Sequence, residues 1–307
     1  MSRVPVNALA ATSPQVGVDA GLLAHAPTGA FEASTPWWTW WTADPVMTLP
    51  LVVLTALYLR GAVARRHPAG HRPRRTAAFL AGVAVLLLAH TSPIAPAGDV
   101  LLWVHMLQHV LIVVVAAPLI AAGAPLATVR AGLDGTSRHL LAVATRSTRR
   151  LRRRLGDPHP LALATGAYVS CLWVWHAPVA YDLAVRVPWV HVLEHASFAV
   201  TAVWFWSQVW ATARRHQRHQ AVATLCLGVV ILQGGVLGAL MSLAGTSLYG
   251  AYDGAFGLTA LEDQHLAGAL MWVPPGFVYA PIAVRRFVAW LREAERAAAR
   301  RHDAPTR

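Results

Sequence analysis

The stretch VLLWVHMLQHVLIVVVAAPLIAA, from Val100 to Ala122, holds no Asp, Glu, Lys or Arg. A helix rises about 1.5 Å per residue, so a run of this length crosses the roughly 30 Å hydrocarbon core of a bilayer. Six further apolar runs stand around it: Val46–Ala64, Thr76–His90, Leu161–Ala177, Trp189–Ala211, Ala221–Leu243 and Leu266–Trp290. None shows the strict alternation of a barrel strand, and in lipid only helices and closed barrels satisfy every backbone group. The sequence therefore predicts an all-α, polytopic membrane protein, a bundle of seven transmembrane helices.

Composition agrees, because only 13% of the 307 residues are charged, against about 25% in soluble domains. The net charge of +12 comes from 26 arginines and no lysine. Of these, 24 lie in 60–75, 130–154, 214–218 and 285–307, that is, after the first, third and fifth runs and at or beyond the end of the seventh. Only Arg3 and Arg186 fall on the other side. Basic residues gather on the cytoplasmic face of a membrane protein, which places the N-terminus outside and the C-terminus inside a bacterial plasma membrane. The charge is thus topological and points to lipid headgroups, with no nucleic-acid partner. Cys171 and Cys226 lie in separate apolar runs and form no CxxC pair, so sulfur chemistry is not indicated.

Residues 1–45 lack the basic start and apolar centre of a cleaved leader, and the sequence predicts an extracytoplasmic arm there. It ends in PWWTWW, where Trp37, Trp38, Trp40 and Trp41 suit the aromatic belt at headgroup depth. Residues 46–291 form the transmembrane domain, and 292–307 a basic cytoplasmic tail. Within the domain, 137–155 mixes leucines with arginines as an interfacial helix on anionic lipid does.

Seven of the 15 histidines fall near the outer ends of these runs: His90, His105, His109, His176, His191, His195 and His265. His105 and His109 in HMLQH, and His191 and His195 in HVLEH, are each four apart and share a helix face, so each pair can offer two imidazoles to one ion. Any single histidine near a helix end can simply bond a carbonyl. Seven on one side point instead to a shared metal site beneath the outer surface, because ionisable groups inside a membrane are costly and mark function. Imidazoles, with thioether help from Met106, Met241 or Met271, suit copper best, although iron and zinc accept the same donors. Glu194, Asp263 and Asp99 are candidate acceptors that set the imidazole tautomers, or helix caps. Pro118 and Pro274–Pro275 should bend their helices, and Gly234, Gly235 and Gly238 should admit a close neighbour.

The chain resembles the cytochrome c oxidase assembly factors of the CtaG type. HMLQH, WHAP, LEH and DQxxAGxxMW stand in that order, within longer stretches such as SPIAPAGDVLLWVHMLQHVLIVVVAAPLIAAGAP, over most of residues 40–280. The resemblance implies a seven-helix plasma-membrane protein, not an enzyme, that serves maturation of a haem–copper oxidase by helping copper reach oxidase subunits on the outer side. It carries over to His105, Met106 and His109; to Trp175, His176 and Pro178; to Glu194 and His195; and to Asp263, Gln264, Gly268, Met271 and Trp272. His265 stands where the family more often has glutamine, and Ser247 and Gly250 in SLYGAYD stand where it more often has prolines. Two other readings of the histidines remain at this level: a haem-binding electron-transfer protein, and a copper transporter.

Overall fold

The computed structural model describes residues 36, 39–42, 44–64, 73–140, 142, 143, 159–212 and 217–302. Most of the N-terminal arm, Trp37, Trp38 and most of the basic segment 137–155 lie outside the described residues. Among the described residues every regular element is helical. In chain order they are α1 (Pro45–Ala64), α2 (Pro73–Thr91), α3 (Ile94–Gly98), α4 (Leu102–Val110), a π-helical turn (Leu111–Ala116), α5 (Ala117–Ala122), α6 (Pro125–Gly132), α7 (Pro160–His176), α8 (Pro178–Arg186), α9 (Pro188–Thr212), α10 (Gln217–Leu243) and α11 (Ala260–His302).

Four stretches of the described residues are long and apolar enough to cross a membrane: Pro45–Ala64, Leu102–Ala122, Gln220–Leu243 and Ala260–Arg300. The second is the central pillar, with 72% of its apolar window buried against 11% for the first. Large apolar side chains such as Leu225, Val200 and Phe277 face outward, which in an aqueous protein would be an aggregation surface and in lipid is ordinary.

Several boundaries differ from the sequence reading. The third run begins as a helix only at Leu102, because Val100 and Leu101 belong to the turn after α3. The last run is not confined to Leu266–Trp290: α11 starts at Ala260 and continues to His302, so most of the expected tail extends the same helix. Its start is a capping box, in which the Thr259 hydroxyl accepts from the Glu262 N–H and Glu262 Oε2 accepts from the Thr259 N–H and hydroxyl. Pro274, Pro275 and Pro281 all lie inside this one helix.

Pro118 acts on its helix through the missing donor. The π-helical turn pairs the Ala117 N–H with the Ile112 carbonyl, so the next bond in that pattern would run from residue 118 to Val113. Proline has no N–H to make it. The Val113 carbonyl accepts instead from Trp206 Nε1 at 3.2 Å and the Tyr279 hydroxyl at 3.4 Å, and the Pro118 carbonyl from Trp210 Nε1 at 3.1 Å. Aromatic donors of α9 and α11 thus repair the central pillar.

The helix ends sort into two groups. At one end the Tyr58 hydroxyl donates to the Gly123 carbonyl, and Arg286 donates to the Val209 carbonyl and to Gln220 Oε1. At the other end the Thr42 N–H donates to the Thr91 carbonyl, and the histidines gather. The apolar core forms two clusters, one around Trp206, Phe205, Tyr168 and Tyr279, the other running from Tyr58 and Phe79 to Met106, Phe198, Tyr181, Tyr249 and Tyr252.

Candidate metal centre

The centre is built on α4, and the position of α4 is set from a distance in sequence. The two oxygens of Asp263, at the start of α11, accept from the Leu102 and Trp103 N–H groups at 2.8 Å each. These are first-turn amides of α4 that no intrahelical carbonyl can reach. Asp263 is fully buried there, so this acid in the first turn of α11 caps another helix. Three residues on from Leu102 comes His105. Gln108, in the same turn, donates to the Ala89 carbonyl of α2 at 2.9 Å, which fixes the rotation of α4 about its axis.

The four-residue spacing then brings His105 and His109 together, with their Nε2 atoms 3.0 Å apart. Across from them α9 presents His191, Glu194 and His195. Ring centroids lie 5.1 Å apart for His105 and His191, 5.0 Å for His109 and His195, and 4.2 Å for His191 and His195. Glu194 points between the histidines of α4, with Oε2 3.8 Å from His105 Nε2 and Oε1 3.6 Å from His109 Nε2. Both distances exceed a hydrogen bond. The carboxylate has no exposed surface, and neither oxygen has a hydrogen-bond partner.

One ligand atom from each of His105, His191, Glu194 and His195 lies within 4.8 Å of the others. Four donors in tetrahedral contact with one ion at about 2.1 Å stand about 3.4 Å apart, so the side chains must draw in by up to about 1.4 Å to close this set. Three imidazoles and a carboxylate suit a divalent transition metal and offer it charge compensation.

Hydrogen bonds behind the cluster prepare His195 for such a role. A carbonyl only accepts, so His90 Nδ1 donates to the Leu86 carbonyl at 2.7 Å. The remaining nitrogen of a neutral His90 then accepts, and His195 Nδ1, 3.1 Å away, must carry the proton between them. That leaves His195 Nε2 with its lone pair, buried and without a partner. No local spacing pairs His90 with His195, since they are 105 residues apart; the one available signal was its place in the outer set.

His176 ends α7 with its ring 5.8 Å from that of His109, outside the four-donor group. His265 is not brought to the centre: its Nε2 bonds the Ala244 carbonyl at 3.0 Å. Gln264 accepts from the Leu248 N–H and donates to the Met241 carbonyl, fastening the loop that joins α10 to α11. Met106 and Met241 are wholly buried in the apolar core, and Met271 lines a cavity beside His109. Trp272 is half exposed and packs where a side chain on Gly238 would fall.

A tyrosine layer that sequence reasoning did not assign covers the centre. The Tyr181 ring lies 5.3 Å from His105, its hydroxyl is 3.3 Å from that of Tyr252, and Tyr249 donates to the His176 carbonyl. In the same loop the Gly250 N–H donates to Asp182 and its carbonyl accepts from Arg186. A proline at 250 would lack that N–H, which gives the glycine a local reason.

Comparison with known proteins now bears on this geometry, because the sequence model of the cytochrome c oxidase caa3 assembly factors, Caa3_CtaG, matches residues 56–293. The chain belongs to that family. No curated protein and no solved structure matches it. All of the clustered histidines, Glu194 and the Asp263 cap fall inside the matched range, so the centre belongs to the part this chain shares with the caa3 assembly factors. Membership makes this an assembly protein for a terminal oxidase.

Proposed function

We propose that this assembly factor binds copper at His105, His191, Glu194 and His195, with His109 beside them, and presents it to an oxidase subunit on the outer face of a bacterial plasma membrane. The observation that carries the reading is the Glu194 carboxylate, buried and unpartnered among imidazoles. An isolated buried carboxylate is strongly unfavourable, and a bound cation relieves it. Copper is favoured over other metals by the partner, since a haem–copper oxidase is the protein the family serves and copper lies toward the strong-binding end for nitrogen donors. The copper is cargo, and the role is a non-enzymatic one.

The same reading has α1, α2, the Leu102–Ala122 pillar, α7, α9, α10 and α11 all crossing the bilayer, N-terminus outside and C-terminus inside. Support comes from the two groups of helix ends: Arg60, Arg75 and Arg286 stand at the end opposite the histidines. Lipid headgroups then meet the arginines, and the oxidase meets the histidine end. Haem is not favoured, because imidazole rings packed 4.2 to 5.8 Å apart leave no slot for a porphyrin. A conduit is not favoured either, since the cluster around Phe205 and Trp206 is built almost wholly of Ala, Val, Leu and aromatic side chains.

Purified full-length protein, loaded with copper and freed of excess, should retain the metal, and Glu194→Gln and His105→Ala/His195→Ala variants should lose most of it. Equal copper in all three would sink the assignment. In cells, deletion should yield oxidase that keeps its haem spectrum and lacks copper, whereas unchanged oxidase copper would remove the delivery role.

A further inference from the structure

His109 faces two ways. Its Nε2 lies 3.0 Å from His105 Nε2 on the side of the four-donor group. Its Nδ1, on the other edge of the ring, is buried and has no hydrogen-bond partner. His176 presents a matching vacancy: its Nδ1 donates to the Leu172 carbonyl at 2.7 Å, so in the neutral ring Nε2 keeps the lone pair, and that atom too is buried and unpartnered. Both rings line one cavity of about 50 Å³, and Met271 of α11 lines it with them. Its other walls include Leu172, Phe198 and Val230.

We infer that this cavity is a second metal position, separate from the Glu194 group, in which the imidazoles of His109 and His176 and the thioether of Met271 hold a monovalent copper ion. The inference rests on the reading of the neighbouring cluster for the identity of the metal, but not for its geometry. The donor set selects the ion. No carboxylate lines the cavity, so a divalent cation would bring two uncompensated charges into an apolar enclosure, and a monovalent ion brings one. Two nitrogens with a thioether also form a soft set, which favours Cu(I) over the harder ions that Glu194 serves. The cavity has room for an ion or for water, since about 10–15 Å³ of such space holds one water. A water bridging His109 and His176 is the competing occupant, and stoichiometry separates the two.

The test is an anaerobic competition titration of full-length detergent-purified protein with Cu(I) against a coloured Cu(I) chelator. The wild type is expected to bind one Cu(I) more than His176→Ala, over and above whatever the Glu194 group takes up. Met271→Leu, nearly isosteric and so a control for folding, should bind the cavity ion at least about tenfold more weakly, since loss of even an outer-shell partner costs about 10–100-fold. A His191→Ala/His195→Ala variant that retains one Cu(I), lost when His176→Ala is added, supports the second position whatever the cluster holds. One ion or none in the wild type, with no change in His176→Ala, overturns the inference and leaves a water in the cavity. Loss of both ions together in His176→Ala also overturns it, since that is the behaviour of one shared centre.

Discussion

Asp263 and His90 touch no candidate ligand atom in common, yet each sets the position of one. Asp263 satisfies two amides at the head of α4, and removing such a cap costs about 1–2 kcal/mol, with more for a buried N–H left bare. Asp263→Ala should therefore lower the unfolding midpoint in detergent and weaken copper retention together, while Asp263→Asn, which keeps one acceptor, should fall between. A stable variant with unaltered copper binding would show that α4 is positioned by packing alone. His90→Phe preserves ring shape and removes the acceptor for the His195 proton. Loss of a group that orients a metal-binding histidine costs about 10–100-fold in affinity. The expected result is that loss in copper affinity with the unfolding midpoint nearly unchanged; unchanged affinity would show that the His90 contact does not govern the tautomer.

Among the elements, α10 and α11 meet at two glycines. A Cβ on Gly268 would come within 2.6 Å of the Gly238 carbonyl oxygen and the Ser242 nitrogen, whereas one on Gly234 would meet nothing within 4 Å. Gly268→Val should separate the helices at a cost of about 1–3 kcal/mol, and Gly234→Ala should be neutral or gain up to about 1 kcal/mol from helix propensity. Thermal unfolding of the pair measures the contrast, and equal effects would mean that the close approach is not maintained in solution. The sequence pointed to Gly234, Gly235 and Gly238 together; only the crossing point of the helices distinguishes them. Pro118 shows a similar limit. Its missing donor was legible, but not that the chain meets it with a π-helical turn whose spare carbonyl is satisfied by Trp206 and Tyr279 from helices far along the sequence.

For the whole molecule, Arg60, Arg75 and Arg286 stand at the end of the bundle opposite the histidine cluster. A fluorescent reporter that matures only in the cytoplasm should light when fused after residue 307 and stay dark when inserted between residues 244 and 259. The reverse pattern would invert the topology and place the histidines inside. Reconstituted vesicles offer a second check: copper should remain bound and not accumulate within, as expected of a carrier that hands over its metal at one face.

Composition and arginine spacing by themselves were enough to predict a helical membrane protein, because lipid imposes length and apolarity on each segment independently of the others. The paired histidines were visible for a related reason, since residues four apart share a face in any helix. What joined α4 to α9 was decided only in three dimensions. The place of Glu194 within the donor group, the relay from Leu86 through His90 to His195, the diversion of His265 to a loop carbonyl and the orphaned nitrogens of His109 and His176 all depend on helix rotation and crossing. Those are set by side-chain packing and long-range caps such as Asp263, which no local pattern encodes.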